Sequence, residues 1–215
     1  MTNLSLKRTN DGSYTIFNDA LKETYHSIHG ARQEALHVFI ENGLFKMPIS
    51  PVRILEIGLG TGLNALLTCR NKRERLIDYV GLEPFSLSKE LLKDFIEKNA
   101  EGQEEKDLWT QLMESDDVIQ LENFSLTKVT LGIQDFTSIE PFDLIYFDAF
   151  APSKQEEMWQ ESVFQHIAAL SRKGTQVVTY CAQGQFKRNL KMAGFEVKSL
   201  PGPPGKREMT VGIKE

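Results

Sequence analysis

The sequence predicts an α/β protein, a mostly parallel sheet with helices on both faces, preceded by a β-hairpin and a helix. Two observations carry that expectation. From Val52 onward short apolar segments alternate with amphipathic ones, and the first apolar segment, 53–57, runs into three glycines at alternate positions, Gly58, Gly60 and Gly62. Apolar strands separated by helices need cover on both faces, which is the parallel arrangement. A chain of 215 residues with 40% hydrophobic content fills one sizeable core rather than two. Residues 1–50 therefore read as an extension packed on a single domain spanning 51–215.

Each element follows in order. Asn10-Asp11-Gly12 stands between two short alternating segments, which is hairpin turn chemistry. In "ARQEALHVFIENGL" the residues Ala35, Leu36, Val38 and Phe39 fall at helical spacing, and Gly43 marks the expected C-cap. Strands are expected at 53–57, 77–83, 143–148 and 175–181, and helices at 63–73, 88–99, 156–171 and 185–193. Residues 117–133 break the rhythm with two alternating segments around Glu122-Asn123, an antiparallel hairpin. "REMTVGIKE", after the loop "PGPPGK", reads as a last strand.

No apolar run approaches the roughly 20 residues that span a bilayer, and the N-terminus lacks the apolar core of a signal peptide. A cytoplasmic location without a membrane partner is expected. The two cysteines, Cys69 and Cys181, lie far apart and read as small apolar residues. No His/Cys/acid cluster has metal-ligand spacing, so no metal is expected. His37 and His166 fall within helical patterns, at the surface or the edge of the core.

The net charge of −5 is unevenly distributed. From Glu101 to Glu122 there are eight acids against one base, a local balance of −7, so everything else carries about +2. From Gly184 to Arg207 six bases face one acid, which leaves room for a polyanionic partner on one side.

Chemistry is expected where the strands end. The spacing G-x-G-x-G departs from the dinucleotide fingerprint, and the carboxylate of Glu56 ahead of it would repel a diphosphate but suit a cationic ligand such as the amino group of S-adenosylmethionine. Asn64 opens the helix after the turn and joins the same candidate set. A glycine-rich turn without ligand is the plainer alternative. Glu83 ends the second strand, where an acid accepts the two hydroxyls of a ribose. Gln134 and Asp135, in "GIQDF", are expected to end a third strand at the same edge; an amide or acid there receives an adenine amino group, or simply caps a turn. Asp148 ends the strand in "FDLIYFDAFAPSKQEEMW", followed by the stiff apolar loop Ala149, Phe150, Ala151 and Pro152. Methyl transfer to nitrogen requires a neutral amine, and a carboxylate at that edge can accept its proton or orient it. The alternative for Asp148 is a loop or N-cap acid. Tyr25, His26 and His29 precede the first long helix; local packing or capping is the preferred reading over a place in a substrate pocket.

With these residues in hand, "DAFAPSKQEEMW", "VVTYCAQGQFKRNLKMAGFEV" and "GPPGKREM" resemble the methyltransferase domain of the MnmC family of tRNA wobble-uridine modification enzymes, and "NDALKETYHSIHGARQEALHVFIENGL" with "LEIGLGTGLNALLT" fits the same family. The resemblance implies a class I S-adenosylmethionine-dependent methyltransferase fold, Rossmann-like, with a seven-stranded sheet whose last strand is antiparallel. It implies methylation of 5-aminomethyl-2-thiouridine in the anticodon loop of tRNA, giving 5-methylaminomethyl-2-thiouridine, with S-adenosylmethionine as cofactor. Gly58, Gly60, Gly62 and Glu83 would hold the cofactor, Asp148 would sit beside the amine, and Lys206 and Arg207, with the bases from Lys187 to Lys191, would be candidates for phosphate contact. Without the resemblance those bases read as a solvated helix face. The bifunctional relatives carry an FAD-dependent oxidase domain, for which this sequence has no room, so a stand-alone methyltransferase is expected. Two rivals remain at this point: an aminopropyltransferase of the spermidine-synthase type, and a non-catalytic S-adenosylmethionine-binding subunit.

Overall fold

The computed structural model describes residues 4–114 and 118–215. Asp116 and Asp117 of the acidic stretch, and the first residue of the hairpin expected at 117–133, lie outside the described residues.

The N-terminal hairpin forms where the turn chemistry places it. Asp11 accepts from the Ser13 amide at 3.1 Å and closes the turn between β1 (Leu4–Arg8) and β2 (Tyr14–Asn18). A short β3 (Glu23–Thr24) completes a three-stranded antiparallel sheet. The following helix begins as α1 (Ala31–Ala35) but continues as a π turn over Leu36–Glu41, capped at Asn42 rather than at Gly43. Gly43 has φ −110° and needs no left-handed freedom; it is glycine because a Cβ would collide with the Phe39 carbonyl oxygen.

The main sheet contains β4 (Val52–Ile57), β5 (Ile77–Leu82), β6 (Ile119–Leu121), β7 (Phe124–Val129), β8 (Phe142–Phe147), β9 (Ser171–Thr179), β10 (Phe195–Pro201) and β11 (Glu208–Lys214), in the order β10-β11-β9-β8-β4-β5-β7-β6. Five of them, β4, β5, β7, β8 and β9, run parallel, and β11 is antiparallel to both its neighbours, as expected of the last strand. The sheet has eight strands rather than seven. The extra one is β6, the first arm of the hairpin at Glu122-Asn123, which pairs antiparallel with β7 at the sheet edge.

Helices α2 (Leu63–Asn71), α3 (Lys89–Asn99) and α4 (Gln103–Glu114) cover one face together with the N-terminal segment; α5 (Glu161–Ala169) and α6 (Gly184–Met192) cover the other. Ile16, Val38 and Phe39 share a core with Ile54 and Leu66, so the described part of the N-terminal extension, residues 4–50, is continuous with the sheet's packing. The sequence reading contained no α4. Its acidic residues hide an apolar stripe, with Trp109 and Leu112 fully buried, and the buried Glu105 is neutralised by Arg32 and Arg70.

Most expected boundaries shift by one or two residues, and two differ by more. The helix at 156–171 is broken at Gln160, which is extended between a 3₁₀ turn (Glu156–Trp159) and α5. Trp159 causes the break: its ring packs on Phe147 and Phe186, and its Nε1 donates to the Phe150 carbonyl at 2.8 Å, so the chain is held off the helical path. Strand β9 starts at Ser171, four residues before the expected 175, because Ser171 already pairs with Phe142 ahead of a register shift.

Candidate active site

Strand β4 has β5 on one side and β8 on the other, and the chain leaves it toward β5 before returning to β8. At such a switch point the loops beyond the carboxyl ends diverge and leave a crevice. A cleft of about 1590 Å³ opens there, lined by the glycine turn, Glu83, the 131–135 loop, the 148–151 loop and residues of the N-terminal extension. Ligand pockets are typically ~300–1,000 Å³, so this one has room for two molecules side by side.

The glycine turn is built for close approach. Gly58 has φ +91°, and a Cβ on it would lie 2.7 Å from the Asp148 carbonyl oxygen. Gly60, with φ +51°, donates its amide to Glu83 Oε2 at 2.9 Å, while Glu83 Oε1 accepts from the Phe85 amide at 3.0 Å. Each Glu83 oxygen thus accepts one hydrogen bond and retains a second lone pair, and the residue lines the cleft. Desolvation raises the Glu83 pKa, and these two amides pull it back. Gly62 faces away from the cleft: a Cβ there would strike the Met113 side chain of α4.

Glu56 departs from expectation. It is 1% exposed and does not line the cleft. Its Oε1 accepts from Asn64 Nδ2 at 2.8 Å and its Oε2 from the Tyr79 hydroxyl at 2.8 Å, so it lies beneath the turn rather than beside a ligand. Burial, and after it the neighbouring Asp148 charge, push its pKa well above the usual carboxylate range. Asn64 does line the cleft and passes this support outward, donating through Nδ2 to Asp148 Oδ2 at 2.9 Å as well.

Asp148 emerges half-buried from β8, its amide bonded to the Ile57 carbonyl at 3.0 Å. Desolvation first, then the nearby Glu34 carboxylate, raise its pKa to about 7, against the opposing effects of the Asn64 hydrogen bond and the Lys206 charge. The loop beyond it is fixed at two carbonyls: Tyr180 donates its hydroxyl to Ala149 O at 2.8 Å, and Trp159 holds Phe150 O. Phe150 meets Tyr25 edge-on at 5.1 Å between ring centres, forming an aromatic wall. Pro152 lies in an adjoining depression of about 480 Å³ with Arg207.

The remaining candidates are dispersed around this centre. Gln134 and Asp135 line the cleft, but on the turn after β7, which ends at Val129, rather than on a strand. Lys206 turns inward: its Nζ is 2.6 Å from Glu34 Oε2 and 3.8 Å from the centre of the Tyr180 ring. Arg207 is exposed, whereas Lys187 is paired with Glu208 at 3.0 Å. Tyr25, His26 and His29 all line the cleft, against the preference for packing alone. His26 does both, since its Nε2 is also 2.8 Å from the Thr61 hydroxyl, and burial lowers its pKa to about 4. Sequence reasoning missed Glu34, Phe85 and Tyr180, which also line the cleft. The last two follow strand ends at the same edge and were findable by that rule; Glu34, inside a short helix, carried no signal.

The sequence profile of the S-adenosyl-L-methionine-dependent methyltransferases matches residues 92–215, more than half of the chain. The chain belongs to that family. Among curated relatives, the tRNA 5-methylaminomethyl-2-thiouridine biosynthesis bifunctional protein MnmC of Cupriavidus metallidurans is 32% identical over 94% of this chain and 33% of its own length. The MnmC of Leptospira borgpetersenii is 31% identical over 92% of this chain and 33% of its own. The methyltransferase thus spans about a third of the curated relatives it matches. Among solved structures, MnmC2 of Aquifex aeolicus superposes with a TM-score of 0.83 at 23% identity, covering 99% of this chain and 71% of that one. Spermidine synthase of Thermotoga maritima gives 0.67 at 11%, covering 99% and 69%. At these identities both likenesses speak to the fold alone. The methyltransferase's own residues fit S-adenosylmethionine, because the Gly58–Gly60 backbone and the Glu83 carboxylate, joined through the Gly60 amide at 2.9 Å, line the same cleft.

Proposed function

We propose that this methyltransferase N-methylates the aminomethyl group of 5-aminomethyl-2-thiouridine at the wobble position of tRNA. The observation that carries this reading is Asp148, a carboxyl with a pKa near 7 held at the cleft beside the aromatic pair Phe150 and Tyr25. The names of the curated relatives support the choice of nucleoside.

S-adenosylmethionine, when bound, would supply an electrophilic methyl group on a sulfonium, with a neutral thioether as the leaving group. It would be held by Glu83 at the ribose hydroxyls, by the Gly58 and Gly60 backbone, and by Gln134 and Asp135 at the adenine, all of which line the cleft. Glu56 and Gly62 act indirectly, through Asn64 and through the seating of α2. An aminomethyl group arrives mostly as an ammonium, since free alkylamines have pKa values of roughly 8–10. Asp148 takes its proton, and Asn64 and the clamped 148–151 loop fix the direction of the freed lone pair. Phe150 and Pro152 offer apolar surface to the base. Residues 1–50 act as a substrate-side cover on the 51–215 domain. The reading carries with it a cytoplasmic location; among the described residues no helix is long and apolar enough to cross a membrane.

The test is transfer of labelled methyl from S-adenosylmethionine to tRNA bearing 5-aminomethyl-2-thiouridine, followed by nucleoside analysis. Formation of 5-methylaminomethyl-2-thiouridine is expected. Cofactor binding without any transfer would sink the acceptor assignment and leave the family assignment intact.

A further inference from the structure

The wall of the cleft next to Asp148 contains a cation that belongs to the protein. Lys206 Nζ sits 3.8 Å from the centre of the Tyr180 ring and 2.6 Å from Glu34 Oε2. Glu34 Oε2 is buried and makes no aligned hydrogen bond, so charge alone joins it to the lysine. The Glu34 side chain is 14% exposed and that of Lys206 31%, which makes this pair drier than a surface ion pair. The groups at this point include Glu34 from α1, Asp148 and Tyr180 from the strand ends, and Lys206 from the loop before β11, with Glu23 and Cys181 also acting on Tyr180; Glu34 and Lys206 both act on the Asp148 carboxyl.

An aromatic face with two carboxylates is a receptor for an ammonium ion. We propose that Glu34, Tyr180 and Asp148 form the binding cage for the ammonium group of the substrate, and that Lys206 occupies this cage as an internal stand-in until substrate displaces it. The identity of the substrate ammonium rests on the reading above; the cage itself does not. Lys206 lines both the main cleft and the adjoining 480 Å³ depression, so the displaced side chain has a place to go, next to the exposed Arg207. The exchange gives a specificity rule. A neutral group entering the cage would leave two carboxylates near an aromatic face without their cation, so cationic acceptors are preferred and neutral nucleosides are refused.

The test uses benzylammonium as a small cationic probe, with benzyl alcohol as its neutral counterpart, titrated by calorimetry at pH 8 against the full chain. Lys206→Met empties the cage while keeping its length, and Lys206→Gln serves as a second version should the first fold poorly. Benzylammonium should bind the lysine variant at least ten-fold more tightly than the wild type, benzyl alcohol should show no such gain, and Glu34→Gln added to the lysine variant should remove it. Equal affinity of wild type and variant for benzylammonium, or a gain that survives Glu34→Gln, would overturn the cage. The labelled-methyl assay on tRNA is a separate readout. A cage that binds the probe beside an inert tRNA would discard the nucleoside assignment alone, and active tRNA methylation without a lysine effect would discard the cage alone.

Discussion

Asp148 concentrates the consequences at the scale of single residues. With its pKa raised to about 7, its basic form is lost as pH falls through neutrality. The value of kcat/KM should therefore fall about ten-fold per pH unit below roughly pH 7. Asp148→Asn should lower kcat by ~10²-fold or more, with cofactor affinity largely kept, and should erase that acidic limb. A variant that loses cofactor affinity in the same proportion would move Asp148 into the cofactor site. The same residue makes a stability statement of opposite sense. A carboxyl whose folded pKa lies above its unfolded value favours the folded state most at low pH, and that contribution is lost as pH rises from about 4 through 7. Asp148→Asn keeps an acceptor for Asn64 and removes the buried charge. Its melting temperature should exceed that of the wild type at pH 8, with the difference shrinking toward pH 4; a difference independent of pH would contradict the raised pKa.

At the scale of elements, the glycine turn couples α2 to α4. Gly62 has φ +74° and its missing Cβ is filled by Met113. Gly62→Ala adds a left-handed side chain and a clash, which together should cost about 2–3 kcal/mol in urea unfolding. Adding Met113→Ala should recover only the packing part, because the backbone strain remains. Full recovery would mean that strain is negligible there. This coupling also marks what could be read ahead of the structure. The apolar runs at 53–57, 77–83 and 143–148 are strong signals because fully buried parallel strands tolerate little else, and Asp148, Glu83 and the glycines followed from being at their ends. α4 was illegible because its helical signal is a thin stripe, Trp109 and Leu112, under a surface chosen for charge. Glu56 was misassigned for a related reason: adjacency to the glycines in sequence does not say which face of β4 its side chain takes, and Asn64 with Tyr79 had already claimed both oxygens. Glu34 and Lys206 come together across more than 170 residues of chain, a pairing no local pattern encodes.

Across the described residues the acidic helix α4 and the basic helix α6 sit on opposite faces of the sheet. α4 packs with α2 and α3 in one core, and α6, with Lys187, Arg188 and Lys191, packs with α5 in the other. The acidic helix therefore does not confront a polyanion approaching on the α6 side, and a net charge of −5 is compatible with RNA binding there. Arg207 and Lys191 are exposed on that bias, whereas Lys206 is held inward by Glu34 and is not a free phosphate ligand in this state. Each phosphate contact releases counterions and steepens the dependence of affinity on salt by about 0.7–0.9 in log–log slope. Lys191→Ala with Arg207→Ala should weaken tRNA binding at low salt and flatten that slope by about 1–2. Glu104→Gln with Asp107→Asn on α4 changes net charge by the same amount in the opposite direction, and should leave the slope unchanged if position rather than total charge governs the encounter. Shifts of equal size and opposite sign in the two double variants would mean that tRNA senses only the overall charge, and the α6 face would then lose its claim as the docking side.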